Sequence, residues 1–245
     1  TLWNREKLKT LVPAVYNATA NADTINGWDG IDRINGMAGN DTLVGGMGDD
    51  TYILDTAADI VVENTDEGID TVQIGATYTL GSNVENLVLT GANAINGTGN
   101  TSDNVLTGNS GVNVLTGGAG NDTYWLGRGY GLDTITENDS AAGNTDVARF
   151  DAGIAADQLW FTKAGNNLNV SIIGTADKFT LSNWYLGDQY HVEQFKTSDG
   201  KTLLDSKVQN LVNAMAAFAP PAAGQTTLST AYANTLNPVI AANWQ

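Results

Sequence analysis

The chain contains no cysteine, so disulfides, thiolate metal sites and cysteine nucleophiles are unavailable, and its 245 residues must be held together by other means. Basic residues are also scarce: 11 Lys and Arg stand against 27 Asp and Glu, a formal net charge of −16. That balance argues against nucleic acid and anionic membrane surfaces as partners and favours cations. No apolar run approaches the roughly 20 residues that a membrane span needs. The single histidine, His191, rules out an H-E-x-x-H zinc site. The stretch Gly108-Asn-Ser-Gly111 is not a G-x-S-x-G nucleophile turn, and no phosphate-binding G-x-x-x-x-G-K-S/T is present. The chain is therefore read as having no catalytic role of its own. It opens on Thr1 with no secretory leader, which is read as a fragment or processed chain that an upstream catalytic domain could precede.

Glycine is plentiful, with 28 residues, while proline is limited to four. Glycine and asparagine tolerate positive φ, so many tight turns are expected. The charge is concentrated in one stretch. From Ala18 to Phe150 there are 19 acids and three bases, whereas the rest of the chain is neutral with eight of each. Carboxylates packed so densely repel one another unless cations neutralise them or the stretch is disordered.

A repeat decides between those two. Asp23, Asp32, Asp41, Asp50 and Asp59 recur every nine residues, and two positions after each stands an apolar residue: Ile25, Ile34, Leu43, Tyr52 and Val61. The clearest copies are Gly36-Met-Ala-Gly-Asn-Asp41-Thr-Leu-Val44, Gly45-Gly-Met-Gly-Asp-Asp50-Thr-Tyr-Ile53 and, further on, Gly117-Gly-Ala-Gly-Asn-Asp122-Thr-Tyr-Trp125. Six residues can turn sharply and expose carbonyls. The last three form a short strand with one inward side chain. Two units close a coil of about 18 residues, and coils stack about 4.8 Å apart, so aspartates two repeats apart meet. A hard divalent cation would neutralise them, and Ca²⁺ suits flexible cages of carbonyl and carboxylate oxygen.

These residues resemble the G-G-x-G-x-D-x-U-x nonapeptide of the repeats-in-toxin (RTX), haemolysin-type calcium-binding family. The resemblance implies an all-β fold: a parallel β-roll, or β-solenoid, with calcium-binding turns, a β-rich aromatic C-terminal cap and short terminal helices. It also implies several bound Ca²⁺ ions. In the family one turn supplies two carbonyls and its Asp, and the turn two repeats later supplies two more carbonyls and its Asp. Carried over, one site joins Trp28, Gly30 and Asp32 to Gly45, Met47 and Asp50. A second joins Thr19, Asn21 and Asp23 to Gly36, Ala38 and Asp41. A third joins Met37, Gly39 and Asp41 to Leu54, Thr56 and Asp59. A distal site joins Gly99, Thr101 and Asp103 to Gly117, Ala119 and Asp122, where a spacing of nineteen requires one bulged residue. Asp29, Asp49, Asp66 and Asp139 are read as solvated turn residues.

The domain reading has four parts: an N-terminal helical cap, or remnant of an upstream domain, at residues 1–17; the calcium roll at 18–150; an aromatic β-rich cap at 151–203; and C-terminal helices at 204–245. Between the two arrays the aspartates thin out while apolar residues keep a strand rhythm, so those coils are expected to close on asparagine and apolar ladders with few or no ions. Leu204, Val208, Leu211, Val212, Met215 and Phe218 follow helical spacing, as do Tyr232, Leu236, Ile240 and Trp244. The ending Leu236-Asn-Pro-Val-Ile-Ala-Ala-Asn-Trp-Gln245 resembles the uncleaved signal of proteins exported by type I systems. The function implied is a calcium-binding module that folds on Ca²⁺ after type I secretion and stabilises an extracellular or cell-surface protein. One alternative is a calcium-dependent structural subunit of a surface layer, filament or adhesin that assembles with copies of itself. Another is an accessory domain of a secreted protease, lipase or other hydrolase.

Overall fold

The computed structural model describes residues 14–140 and 143–245. The chain winds as the repeat predicts, with successive short strands falling alternately on two faces. One face is a ten-stranded sheet that begins at Ala14–Asn17 and ends at Thr202–Leu204. The other begins as a three-stranded sheet, Thr24–Asn26, Thr42–Val44 and Ile60–Val62, and continues as a seven-stranded sheet. Within the roll the neighbours are parallel. Arg33 pairs with Thr51, Thr24 with Thr42 and Val105 with Thr123, each 18 residues on. This is the parallel β-roll expected.

The core of the roll is a narrow layer filled by inward side chains from the two facing sheets. Ile34, Leu43, Tyr52, Val72, Leu87, Leu106, Leu115 and Tyr124 are buried at the inward position of their strands. Each such burial is worth roughly 1.5–3 kcal/mol. A core this narrow also depends on how the turns on either side close.

The coils between the two aspartate arrays close with asparagine amides. Asn104 Nδ2 donates to the carbonyls of Val84 and Glu85, and Asn113 Nδ2 donates to the carbonyl of Ile95 at 2.6 Å. Asn100 and Asn109 reach back in the same way, to Gly81 and Val84 and to Thr90 and Asn93. An amide group thus satisfies carbonyls of the preceding turn, as the sequence reading of an asparagine ladder requires.

Both sheets run on into the C-terminal third. Lys178–Leu181 pairs in parallel with Leu132–Thr136 and then starts an antiparallel series through Asn167–Ile172 to Leu159–Ala164. On the other face Gln194–Lys196 pairs in parallel with Val147–Phe150, and Thr202–Leu204 closes it antiparallel. An open strand edge is a template for aggregation, and this arrangement covers it. Trp160, Phe161, Phe179, Trp184 and Phe195 are buried there. Trp184 lies flat on His191, with ring centroids 4.0 Å apart, and belongs to the buried core of the cap.

Helix α1, Asp205–Met215, packs against Leu159–Ala164 and Thr202–Leu204 through Val208, Leu211, Val212 and Met215. Helix α2, Thr230–Asn243, starts at Ser229, whose hydroxyl accepts from the Tyr232 amide, and packs on α1. Thr202 and Gln245 exchange backbone hydrogen bonds, so the last residue is tied to the cap. At the other end Ala14–Asn17 is a strand rather than part of a helix, because it pairs with Asp32–Asn35. The remainder of that expected helical segment, residues 1–13, lies outside the described residues.

Candidate metal centres

Each turn aspartate is held by the coil before it. Asp23 N donates to Asp41 Oδ1 at 2.8 Å, and Asp41 N to Asp59 Oδ1 at 3.0 Å. On the opposite side Asp32 N donates to Asp50 Oδ1 at 2.7 Å, and Asp50 N to Asp70 Oδ1 at 2.7 Å. The second column resumes beyond the asparagine coils, where Asn104 N donates to Asp122 Oδ1 and Asp122 N to Asp146 Oδ1. One oxygen of each carboxylate is thereby fixed.

The other oxygen is the informative one. Oδ2 of Asp41, Asp50, Asp59, Asp70, Asp122 and Asp133 is buried and has no hydrogen-bond partner. An unpaired buried carboxylate oxygen is costly, so a counter-charge is required. Burial, reinforced by neighbouring carboxylates, pushes Asp50 up to about 7 and Asp146 up to about 7. It also pushes Asp70 and Asp122 up to about 6, and Asp32 and Asp59 upward. Asp23 moves the other way, because the Thr19 hydroxyl and amide donate to it.

Backbone oxygens crowd the same spaces. A methyl group added at Gly27 would collide with the Gly45 carbonyl and the Asp32 carboxylate, and one at Gly39 would collide with the Asn21 carbonyl. At Gly36 it would sit 3.1 Å from Asp41 Oδ2 and 3.4 Å from Asp59 Oδ2. These cradles of carbonyl and carboxylate oxygen fit a hard cation such as Ca²⁺. The structure brings together Gly30, Asp32, Gly45 and Asp50, with the Met47 carbonyl accepting the Gly30 amide. It also sets Asn21 and Asp23 beside Gly39 and Asp41, and Asp41 beside Asp59.

The distal register differs from expectation. Asn104, not Asp103, stands opposite Asp122, at a spacing of 18 with no bulge. The core selects it, because Leu106, two residues after Asn104, is fully buried. The carbonyls facing Gly118 and Gly120 are accordingly those of Asn100 and Ser102, one residue on from the expected Gly99 and Thr101. Gly99 instead lies against the Gly117 carbonyl, and Asp103 Oδ1 accepts from the Asn121 amide at 2.7 Å. The nine-residue spacing of Asn104, Asn113 and Asp122 carries this register in the sequence itself.

Two glutamates escaped the sequence reading. Glu63 and Glu137 are buried, and each accepts a hydrogen bond from a core tyrosine, Tyr52 and Tyr124 respectively. Asp49 and Asp139, read as solvated, are also engaged: Asp49 accepts from the Ile69 amide at 3.0 Å and Asp139 from the Asn144 side chain.

Residues 17–52, 27–61 and 98–132 match the family described as RTX calcium-binding nonapeptide repeat (4 copies). Residues 167–206 match the haemolysin-type calcium binding protein related domain. Among characterised proteins the chain is similar to the iron-regulated protein FrpA of Neisseria meningitidis serogroup C, with 36% identity over 93 residues. That alignment covers 37% of this chain and 8% of the relative, so the chain corresponds to a small part of the relative's length.

Proposed function

We propose, for a chain that belongs by its repeats to the RTX haemolysin-type calcium-binding family, that it is a calcium-triggered folding module of a protein secreted by a type I system. Its binding of several Ca²⁺ ions is what the repeats indicate. The observation that carries the proposal is the row of buried aspartate oxygens without partners. Calcium supplies the positive charge that lets those carboxylates stack. The chain's own residues do the rest: Asp Oδ1 atoms tie adjacent coils together, glycines admit the carbonyls, and the inward apolar residues form the core.

Without the ion a net charge of −16, carried by residues 18–150, opposes folding. At cytosolic calcium an extended chain suits threading through an export channel. Outside, where extracellular modules bind at about 10⁻⁴ to 10⁻³ M, ion binding becomes folding free energy. The C-terminal tail fits this sequence of events. Its export-signal-like residues Leu236, Ile240 and Trp244 are buried in the folded cap, so they are readable only while the chain is unfolded. No helix of the described residues is long and apolar enough to cross a membrane.

Circular dichroism in EGTA and in millimolar Ca²⁺ tests the reading. The β signal is expected to appear with calcium, and an unchanged β spectrum in EGTA would sink it.

A further inference from the structure

Beyond the nonapeptide turns the structure holds two carboxylate trios of one design: Asp50, Glu63 and Asp70, and Asp122, Glu137 and Asp146. In each, one oxygen from every residue lies within 4.8 Å of the others, and all six residues are buried. Asp50 Oδ2, Glu63 Oε2 and Asp70 Oδ2 have no hydrogen-bond partner, nor have Asp122 Oδ2 and Glu137 Oε2. Among the described residues no base pairs with either trio; the ion pairs there are His191–Asp205 and Lys201–Asp199.

The two trios are built from the same parts. Each begins with a Gly-Gly-x-Gly-x-Asp-Thr-Tyr turn, at Gly45 and at Gly117. The strand register sets Glu63 opposite Gly45 and Glu137 opposite Gly117. The following turns are longer than the six-residue nonapeptide turn, with the next aspartate seven residues after Glu63 and nine after Glu137. The missing side chain of Gly45 leaves a chamber that a methyl group would fill, against Asp50 Oδ2, the Tyr52 hydroxyl and Glu63 Oε1. Gly117 leaves the equivalent chamber against Asp122 Oδ2 and the Tyr124 hydroxyl. The tyrosine donates to Glu Oε1 and leaves Oε2 free. The residue before each closing aspartate is pinned by the preceding turn, Ile69 N to Asp49 Oδ1 and Thr145 N to Asn121 Oδ1.

We propose that these trios are two calcium sites different in kind from the nonapeptide pairs, each closed by a tyrosine-oriented glutamate from a lengthened turn. The glutamate stands where a nonapeptide turn would present its first residue's carbonyl. Oxygens about 2.4 Å from one Ca²⁺ lie no more than about 4.8 Å apart, which is the span of the trios. Three carboxylates in place of two make these the tightest sites in the chain, because affinity rises with ligand charge. The identity of the ion rests on the reading of the roll as a calcium-folded module, whereas the existence of the sites does not.

Calcium titration calorimetry on the full chain tests this, with Glu63→Gln, Glu137→Gln and, as control, Asp66→Asn. Asp66 shares the long turn but is exposed, at a positive φ of 64° that asparagine tolerates. Each of the first two variants is expected to lose one ion from the tight class, or to bind it at least tenfold more weakly, and the control to match the unmodified chain. Unchanged stoichiometry and affinity in both variants would overturn the proposal. Should a variant fail to fold, anomalous scattering from Tb³⁺ in crystals of the unmodified chain decides. Density is expected within bonding distance of Glu63 and Glu137, and density confined to the nonapeptide turns overturns the proposal. Dichroism in EGTA reads the folding switch separately: a roll folded without calcium removes the switch and leaves the ion count intact.

Discussion

A turn aspartate in this roll divides its two oxygens between two tasks. Oδ1 accepts the amide of the aspartate one coil earlier, and Oδ2 is left for the ion. Glycine's part is equally specific at Gly48, where φ is +130° and a side chain would strike the Gly30 carbonyl. L-residues rarely adopt that backbone conformation, at a penalty of about 1–3 kcal/mol. Gly48→Ala is therefore expected to lower stability in saturating calcium by roughly 2–3 kcal/mol, strain and displaced carbonyl together. Urea unfolding at millimolar Ca²⁺ measures it, and a change within a few tenths would contradict the cradle described for that turn. At this scale much was legible in the sequence. The nine-residue aspartate spacing and the apolar residue two places on are unambiguous from Asp23 to Asp59. Asp103 misled because Val105 and Leu106 both satisfy the apolar rule, and only burial distinguishes them. Glu63 and Glu137 were invisible because their meaning depends on Gly45 and Gly117, which meet them across the sheet rather than along the chain.

The coil as an element comes in two versions that share a backbone and differ in what neutralises the turn. In the aspartate coils an ion is needed, and in the asparagine coils the amide donates instead. Asn113 shows the substitution most fully. Its Oδ1 accepts from the Asn109 amide, while its Nδ2 donates to the Ile95 carbonyl and to Asn109 Oδ1. Asn113→Asp would turn that donor into a carboxylate facing two acceptors in a fully buried position. The calcium midpoint of folding is expected to rise several-fold, and the transition to steepen as the coil takes up an ion opposite Asp133. A raised midpoint with unchanged steepness would mean the turn was merely weakened. The asparagine ladder and the helical faces of α1 and α2 were readable because each rests on local periodicity. The way the cap continues both sheets was not, since the pairing of Leu132–Thr136 with Lys178–Leu181 spans 46 residues and no local pattern specifies it.

Taken as a whole, the molecule sets its folding against its charge, and protons can substitute in part for calcium. Burial holds Asp50, Asp133 and Asp146 at about 7, Glu63 at about 8 and Glu137 at about 9 in the calcium-free roll. Their ordinary values are 3.8 for Asp and 4.5 for Glu. Groups raised on folding favour the protonated native state. The stability they contribute is complete below about pH 4 and is lost as pH rises through about 6 to 9. Calcium needs the same oxygens deprotonated, so its contribution runs the opposite way. In EGTA the β signal is therefore expected to grow as pH falls from 8 to about 4.5. Because the unfolded carboxylates stay ionised over most of that interval, the calcium concentration at the folding midpoint falls with it, while the increment of stability that calcium adds shrinks. Dichroism across that pH range, with and without calcium, measures both. A β signal in EGTA that is flat or falls on acidification would show that self-repulsion of the buried carboxylates is not what keeps the calcium-free chain open. If both trends appear, the switch acts through the neutralisation of a single set of oxygens, and calcium is the agent that achieves it at neutral pH.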